Sequence, residues 1–387
     1  MRSNLFTTAL AFIFITLGAG KGHAQSDSTD NTVFGKLARR RVMPMVYYSN
    51  PDHVFAGVRV RIAKGRIRQD SNGMLQSIQF RYSISQNAFS VLYDGRFNHL
   101  LGNWNVGVNG SFDWVVWTNY FGPGNDTRRD NSLPYYRLST SEYAGSVNVN
   151  RVFNKYNYVE FSANIQGVEV LNKPGTFIAD NYIHDPVYYY EHHIYAGPSA
   201  SYTYQRVDDP MVPTRGVMFY AGGGYVVNVN ETNKSFAKGN VLLQVYVPMV
   251  SKFSLSLRAG GAAISGTPEF YQYVSVGGPM TIRGYYRDRF WGKESFYNTN
   301  ELRYITDFRM RKVYGKIGFL ALFDDGRVWI ENENSTTIHY GYGGGLLLAP
   351  FNKFTGMLTY AVSPEGGIVQ VKVTKLLTQV QKTRTGL

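Results

Sequence analysis

Residues 77–85 read Ser-Ile-Gln-Phe-Arg-Tyr-Ser-Ile-Ser, and their strict alternation decides the fold. Successive side chains of a strand point to opposite faces, so Ile78, Phe80, Tyr82 and Ile84 share one side while Ser77, Gln79, Arg81, Ser83 and Ser85 share the other. The same period recurs far along the chain. Val159, Phe161, Ala163 and Ile165 alternate with Glu160, Ser162, Asn164 and Gln166. Phe253, Leu255 and Leu257 alternate with Ser254, Ser256 and Arg258, and Val369, Val371 and Val373 with Gln370 and Lys372. A soluble sandwich would bury the apolar faces as its core. Here the polar faces carry many small residues and glycines, and several segments exceed the ~5–6 residues of soluble strands. Strands that cross a bilayer at a tilt need ~9–11 residues. The pattern predicts an all-β protein, a transmembrane antiparallel β-barrel.

Composition agrees with that class. Aromatic residues make up 15% of the chain, with 30 Tyr, 40 Gly and no Cys. The lack of cysteine excludes disulfides, thiolate metal sites and a lipid anchor on cysteine. Arg2, the apolar run Leu5 to Leu17 and the small-x-small signal Gly22-His23-Ala24 predict a secretory signal peptide over residues 1–24, with Gln25 first in the mature chain. No second stretch approaches the ~20 apolar residues of a membrane helix. Formal net charge is +13, of which Arg2 and Lys21 leave with the signal. The remaining cations are spread along alternating segments instead of forming one stripe, which argues against nucleic acid as a partner. Outer-membrane lipids and lipopolysaccharide fit, as does a basic lumen.

The alternation and its breaks predict about sixteen strands. They fall near 42–49, 54–63, 74–85, 88–99, 104–117, 136–153, 157–170 and 191–206. The second half lies near 215–228, 236–248, 251–264, 297–308, 314–329, 337–348, 354–362 and 367–376. Residues 25–41 become a short periplasmic segment and 42–387 the barrel. The three longest connections, Thr118–Tyr135, Leu171–Tyr190 and Ser265–Phe296, all follow odd-numbered strands and so lie on one side. Bacterial barrels have even strand numbers, long loops outside and short periplasmic turns. Met43-Pro44-Met45 weakens the first strand, because proline cannot donate to a ladder. It predicts a seam between the first and last strands.

Loop 265–296 is too long for a plain turn, and such loops are commonly functional. From Ser275 it reads SVGGPMTIRGYYRDRFWGKESFYNTNELRY. Gly277-Gly278-x-x-x-Ile282-Arg283-Gly284-Tyr285 resembles the Arg-Gly-aromatic loop motif of the BamA/TamA superfamily, the bacterial surface antigen family. Glu301-Leu302-Arg303 and the Asp-x-Gly segment Leu322-Phe323-Asp324-Asp325-Gly326-Arg327-Val328-Trp329 resemble the strand segments downstream of that motif in the family. Weaker echoes are Tyr120-Phe121-Gly122-x-Gly124-Asn125-Asp126-Thr127, Asp209-Pro210…Pro213-Thr214-Arg215-Gly216 and Pro44-x-x-Tyr47-Tyr48-Ser49. The echoes keep the family's order across nearly the whole mature chain.

The resemblance implies a loop folded into the lumen and pinned there. Alternation supplies a partner. Ile317, Phe319, Ala321 and Phe323 form one face, leaving Leu320, Leu322 and Asp324 on the other. Leu302, Tyr304 and Phe308 likewise point Glu301 and Arg303 inward. Arg283 can then reach Asp324, with Glu301 as a second acid, while Gly284 supplies a positive-φ turn and Ile282 and Tyr285 flank it. Gly326 belongs to the same partner segment. The alternative reading makes Arg283, Arg287 and Arg289 a solvated extracellular patch. The sequence departs from the family in having no room for POTRA domains within Gln25–Arg41, in Leu322 before the motif aspartate, and in a C-terminus that does not end on an aromatic residue.

Other chemistry is weakly supported. Glu191-His192-His193 lacks further metal ligands and a paired serine. Asp324 and Asp325 point to opposite faces and cannot act on one atom. Asn125, Asp126 and Asp130 offer oxygen ligands for Ca²⁺, although a solvated loop accounts for them equally. No catalytic, cofactor or metal residue is expected, and the chain reads as no enzyme. The resemblance implies insertion, assembly or translocation of proteins or lipids at the bacterial outer membrane, with a periplasmic partner or a client outer-membrane protein. The alternative is a diffusion channel or solute transporter that the long loop narrows.

Overall fold

The computed structural model describes residues 42–49, 53–64, 73–84, 87–181, 190–310, 313–352 and 354–375. The expected signal peptide at 1–24, the segment 25–41 and the tail beyond Lys375 lie outside these residues. The first eight strands are β1 (Val42–Ser49), β2 (His53–Lys64), β3 (Met74–Ser83), β4 (Ala88–Leu101), β5 (Trp104–Asn119), β6 (Arg137–Phe153), β7 (Asn157–Val170) and β8 (His192–Val207). Then come β9 (Gly216–Asn228), β10 (Phe236–Pro248), β11 (Phe253–Gly266), β12 (Val274–Val276) and β13 (Phe290–Gly292). The last described strands are β14 (Glu294–Met310), β15 (Val313–Trp329), β16 (His339–Pro350), β17 (Phe354–Ser363) and β18 (Gly366–Lys375).

Sixteen of these form one sheet in chain order, each antiparallel to its neighbours. β12 and β13 form a separate two-stranded ladder, with Trp291 also bridging to Pro123 and Gly124, so β11 meets β14 directly, with Leu255 opposite Leu302 and Ser256 opposite Glu301. The long connection is therefore Thr267 to Lys293, with a small hairpin at its base. Three-residue strands carry no readable period, which is why the alternation gave no sign of this hairpin. Contacts through the interior curve the sheet back on itself: Asn119 at the end of β5 and Gln370 on β18 both bond to this one loop. The sheet order starts at β1 and ends at β18, and among the described residues no ladder joins the two.

The two faces differ as the alternation requires. On β15, Phe319 is 55% exposed and Phe323 51%, whereas Leu320, Leu322 and Asp324 between and beside them are buried. The same outward apolar surface runs through Phe80, Phe161, Ile165, Val369, Val371 and Val373. A belt of this extent is intelligible only against hydrocarbon. Through the middle of β4–β11 the inner face is polar and bonds to itself, Asn109 donating to Ser146, Asn164 to Ser199 and Gln244 to Ser256, while at the loop end Val168, Tyr195, Val226, Phe236 and Ile264 pack with Tyr271 and Val274. Over β14–β17 the inner face is different, and there the chain packs.

A cation on the belt tests this assignment. Phe319→Arg, near the middle of β15, is expected to cost about 2–4 kcal/mol, the range for a basic residue at the bilayer midplane. The measurement is reversible denaturant unfolding from lipid vesicles. An unchanged midpoint would mean that this face does not meet lipid.

Candidate functional site: a loop held in the lumen

The tip of the long loop is an Arg-Gly turn resting on β14–β18. Arg283 presents the two prongs of its guanidinium to one carboxylate, with Nε 2.6 Å from Asp324 Oδ2 and Nη2 2.7 Å from Oδ1. Its backbone N–H donates to the same Oδ2 at 3.0 Å. Nη1 donates to Glu301 Oε1, and Glu301 Oε2 accepts from Arg303 Nε at 2.6 Å. Charge alternates along this row, Asp324, Arg283, Glu301, Arg303, and all four residues are buried. Removing ions from water is costly and is offset only when geometry is close and the remaining protons and lone pairs are used. The planar fork meets that condition where an ammonium would not.

The backbone around Arg283 fits a bed cleared for it. Gly284 adopts φ +96°, a conformation that side chains resist, and its carbonyl accepts from Ser363 Oγ at 2.8 Å. A Cβ on Gly341 of β16 would stand 1.8 Å from the Arg283 carbonyl oxygen, so the wall must be bare there. The Tyr285 carbonyl accepts from Gln370 Nε2 on β18 at 2.9 Å. Ile282 and Tyr285 are fully buried and pack with Val276, Phe290 and Val328. Of the sequence-singled residues, Ile282, Arg283, Gly284, Tyr285, Asp324 and Glu301 thus come together. Gly326 does not join them: the atoms nearest a Cβ there belong to Phe296 and Tyr297 of β14.

Two further residues fasten the outer mouth. Arg289, which a basic-patch reading would leave in solvent, is 1% exposed. It donates to Glu365 Oε1 at 2.8 Å and to Thr127 Oγ1 and carbonyl at 2.7 and 2.6 Å, and it stacks 4.5 Å from both Phe121 and Phe290. Only Arg287 keeps a partly exposed side chain, beside Asp288. Asn125 is fully buried. Its N–H faces the Glu333 carboxylate, its amide donates to Ser335 Oγ and the Thr337 carbonyl, and its Oδ1 accepts from Val328 N–H. It is a crosslink between two outer loops, neither a solvated residue nor a free oxygen ligand. Among the described residues no three His, Asp or Glu side chains converge as a metal site would need. Above these sits an aromatic cap of Tyr120, Phe270 and Trp291. His192 and His193 open β8, His192 stacked on Tyr143 and His193 buried near Glu231.

The inner mouth carries a second inward segment, the β8–β9 turn Asp208-Asp209-Pro210-Met211-Val212-Pro213-Thr214-Arg215. Asp208 Oδ1 accepts the N–H groups of Asp209, Thr214 and Arg215, and Oδ2 accepts Thr214 Oγ1 at 2.6 Å. Asp209 caps Met211 and Val212 and receives Lys316 Nζ of β15 at 2.6 Å. Thr355 of β17 donates to the Met211 carbonyl at 2.8 Å. The turn thus presses Met211 and Val212 onto Ile305, Leu320, Leu322, Leu347 and Met357. The sequence held a sign of this: leucines at inward positions of β15 need a cover, and Met-Val between two prolines supplies one.

Residues 72–361 match the Omp85 superfamily domain. Among solved structures, BamA from Haemophilus ducreyi lacking POTRA domains 1-3 superposes with a TM-score of 0.61 at 13% identity, over 86% of this chain and 74% of that one. CdiB from Acinetobacter baumannii superposes with a TM-score of 0.52 at 10% identity, over 87% of this chain and 60% of that one. At such identities the likeness is one of fold. Among curated proteins none matches the sequence.

Arg283→Ala strands Asp324 in a dry interior, so it is expected to destabilise the barrel by about 3–5 kcal/mol and to open residues 267–293 to protease. Unfolding midpoints and limited proteolysis in detergent measure both effects. Arg283→Lys, which keeps the charge and loses the fork, is expected to fall between. The inner turn gives a pH prediction. Burial alone would raise the Asp208 carboxyl, but the Thr214 hydroxyl and the N–H groups of Thr214, Arg215 and Asp209 carry it below the ordinary range. Asp209 is likewise lowered: burial opposes the shift, while Lys316 and two N–H groups impose it. Depressed carboxylates stabilise fully above the unfolded value of about 3.9. That contribution is lost as pH falls through the lower folded value. Thermal midpoints below pH 4 are expected to fall more for wild type than for the Asp208→Asn, Asp209→Asn double variant.

Proposed function

Because the chain belongs to the Omp85 superfamily, we propose that it serves insertion or translocation of a client protein at the bacterial outer membrane, with the pinned loop as its working part. The observation that carries this reading is the Arg283 fork on Asp324 and Glu301, which fixes a long loop against the β14–β18 wall. A diffusion pore has no use for so many buried ionic bonds to a loop that only narrows it. Packed chain occupies both mouths: the loop and its aromatic cap outside, the Met211-Val212 turn inside. A client is then handled at the barrel wall, or after the loop moves. The β1–β18 margin suits lateral opening, since Pro44 on β1 has no N–H to donate. Lipids are the remaining class of cargo for such a wall, and the buried loop contacts do not distinguish it from protein.

Two measurements test the proposal. In planar bilayers the wild-type chain is expected to show only small, intermittent conductance, and the Arg283→Ala, Met211→Gly variant a larger one. A large, steady wild-type conductance would favour the channel reading and sink the closed one. In vesicles, the wild-type chain is expected to speed the folding of an unfolded outer-membrane client over empty vesicles, and Arg283→Ala to slow it several-fold. Equal rates with and without the wild-type chain would refute the insertion reading.

A further inference from the structure

On the outer rim, away from the loop, stands a cluster of donors for which the described residues supply no acid. The Arg137 guanidinium carbon lies 4.5 Å from the centre of the Trp117 ring, and Lys173 Nζ lies 5.6 Å from it. Strand register brings the three together. Trp117 stands opposite Ser139 and Asn119 opposite Arg137, while the Leu171 N–H donates to the Ser139 carbonyl just past the end of β7. Two residues on from that bond, Lys173 comes level with Arg137. Leu138 packs inward with Tyr120, Phe270 and Trp291, so its neighbour Arg137 and the diagonal Trp117 face away from the lumen, while Asn119, the last residue of β5, turns back to the loop. Trp114, on the same outer face, is 51% exposed. Aromatic residues at a strand end mark the level of the lipid headgroups.

The pair of cations is electrostatically unsatisfied. An indole face attracts each cation through its quadrupole but carries no net charge to cancel their repulsion. Lys173 registers the conflict: burial first, and then the Arg137 charge, push its amine below the ordinary range. Among the described residues neither cation makes an ion pair. The acid on the same face of β7, Glu169, stands opposite Ser141 and His192, further down the strand. Trp117 Nε1 and Arg137 Nε are both shielded from solvent and have no acceptor. A guanidinium and an ammonium gathered at one indole suit a tetrahedral oxyanion, whose several oxygens can take donors from both at once.

We propose that Arg137, Lys173 and Trp117 form a binding site for a phosphate group of an outer-leaflet glycolipid. The site lies at headgroup height, where such phosphates are the abundant anions of this membrane's outer face. It rests on the placement of the barrel in the membrane and not on the insertion of clients. The ligand fills the charge gap between the two cations and orders the start of the β7–β8 connection against the lipid surface.

Native mass spectrometry of the detergent-solubilised chain tests this with three probes: bisphosphorylated lipid A, the same lipid dephosphorylated, and inorganic phosphate as competitor. Wild type is expected to retain bisphosphorylated lipid A, and Arg137→Gln, Lys173→Gln to retain several-fold less. Dephosphorylated lipid is expected to bind both chains equally weakly. Equal retention of bisphosphorylated lipid by wild type and variant would overturn the site. Release of the lipid from wild type by millimolar inorganic phosphate would overturn the glycolipid assignment in favour of a free anion. Lys173→Gln alone alters a loop outside the strand ladder and serves if the double variant does not fold. Client folding in vesicles is expected to stay at the wild-type rate, which separates failure here from failure of the insertion reading.

Discussion

A guanidinium buried in a barrel lumen dictates much of the surrounding architecture. Arg283 needs a carboxylate in bidentate reach, a second acid for its remaining nitrogen, and a wall without side chains where its own carbonyl lies. Asp324, Glu301 and Gly341 answer those needs from three adjacent strands. Arg303 then neutralises the extra acid. Strand parity is what makes the arrangement possible, because the period of two turns both acids inward on neighbouring strands, Asp324 opposite Thr299 and Glu301 opposite Leu322. A one-residue slip of β15 would turn Asp324 toward lipid and leave Arg283 with Leu320 and Leu322 out of place as well.

The lumen is divided between two kinds of wall. Around the middle of β4–β11 it is lined by Asn, Ser and Gln side chains, several of which bond to one another across the strands. Around β14–β17 it behaves like the core of a soluble protein, with leucines and methionine covered by the inner turn and the loop tip seated just beyond. The inner turn and the Arg283 tip of the outer loop both lean on these four strands. A shift of those strands therefore acts on the inner turn and the outer loop together, and neither can leave without disturbing the surface that holds the other.

Strands were legible in the sequence because each one writes its own pattern: Phe319 and Phe323 on one side of β15 and Asp324 on the other need no knowledge of the rest of the chain. The Arg283 partners were legible for the same reason, once a family resemblance said that the loop turns inward. What stayed hidden depends on distant pairing. Arg289 reads as one more exposed cation until Thr127, 162 residues away, and Glu365, 76 residues away, are brought beside it. Asn125 looks like a loop ligand until Glu333, 208 residues on, takes its N–H. Only the inner turn offered a clue of its own, in apolar residues where a barrel interior calls for polar ones.

The contacts of Gly284 and Tyr285 also impose an order of events. Their carbonyls are held by Ser363 on β17 and Gln370 on β18, while Arg283 waits for Asp324 on β15. A chain cut short before β17 would have every residue of the loop and still lack the anchors for its tip. Seating of the loop thereby reports that β17 and β18 have joined the sheet, and a chain without them is left with Thr267–Lys293 exposed for proteases to find.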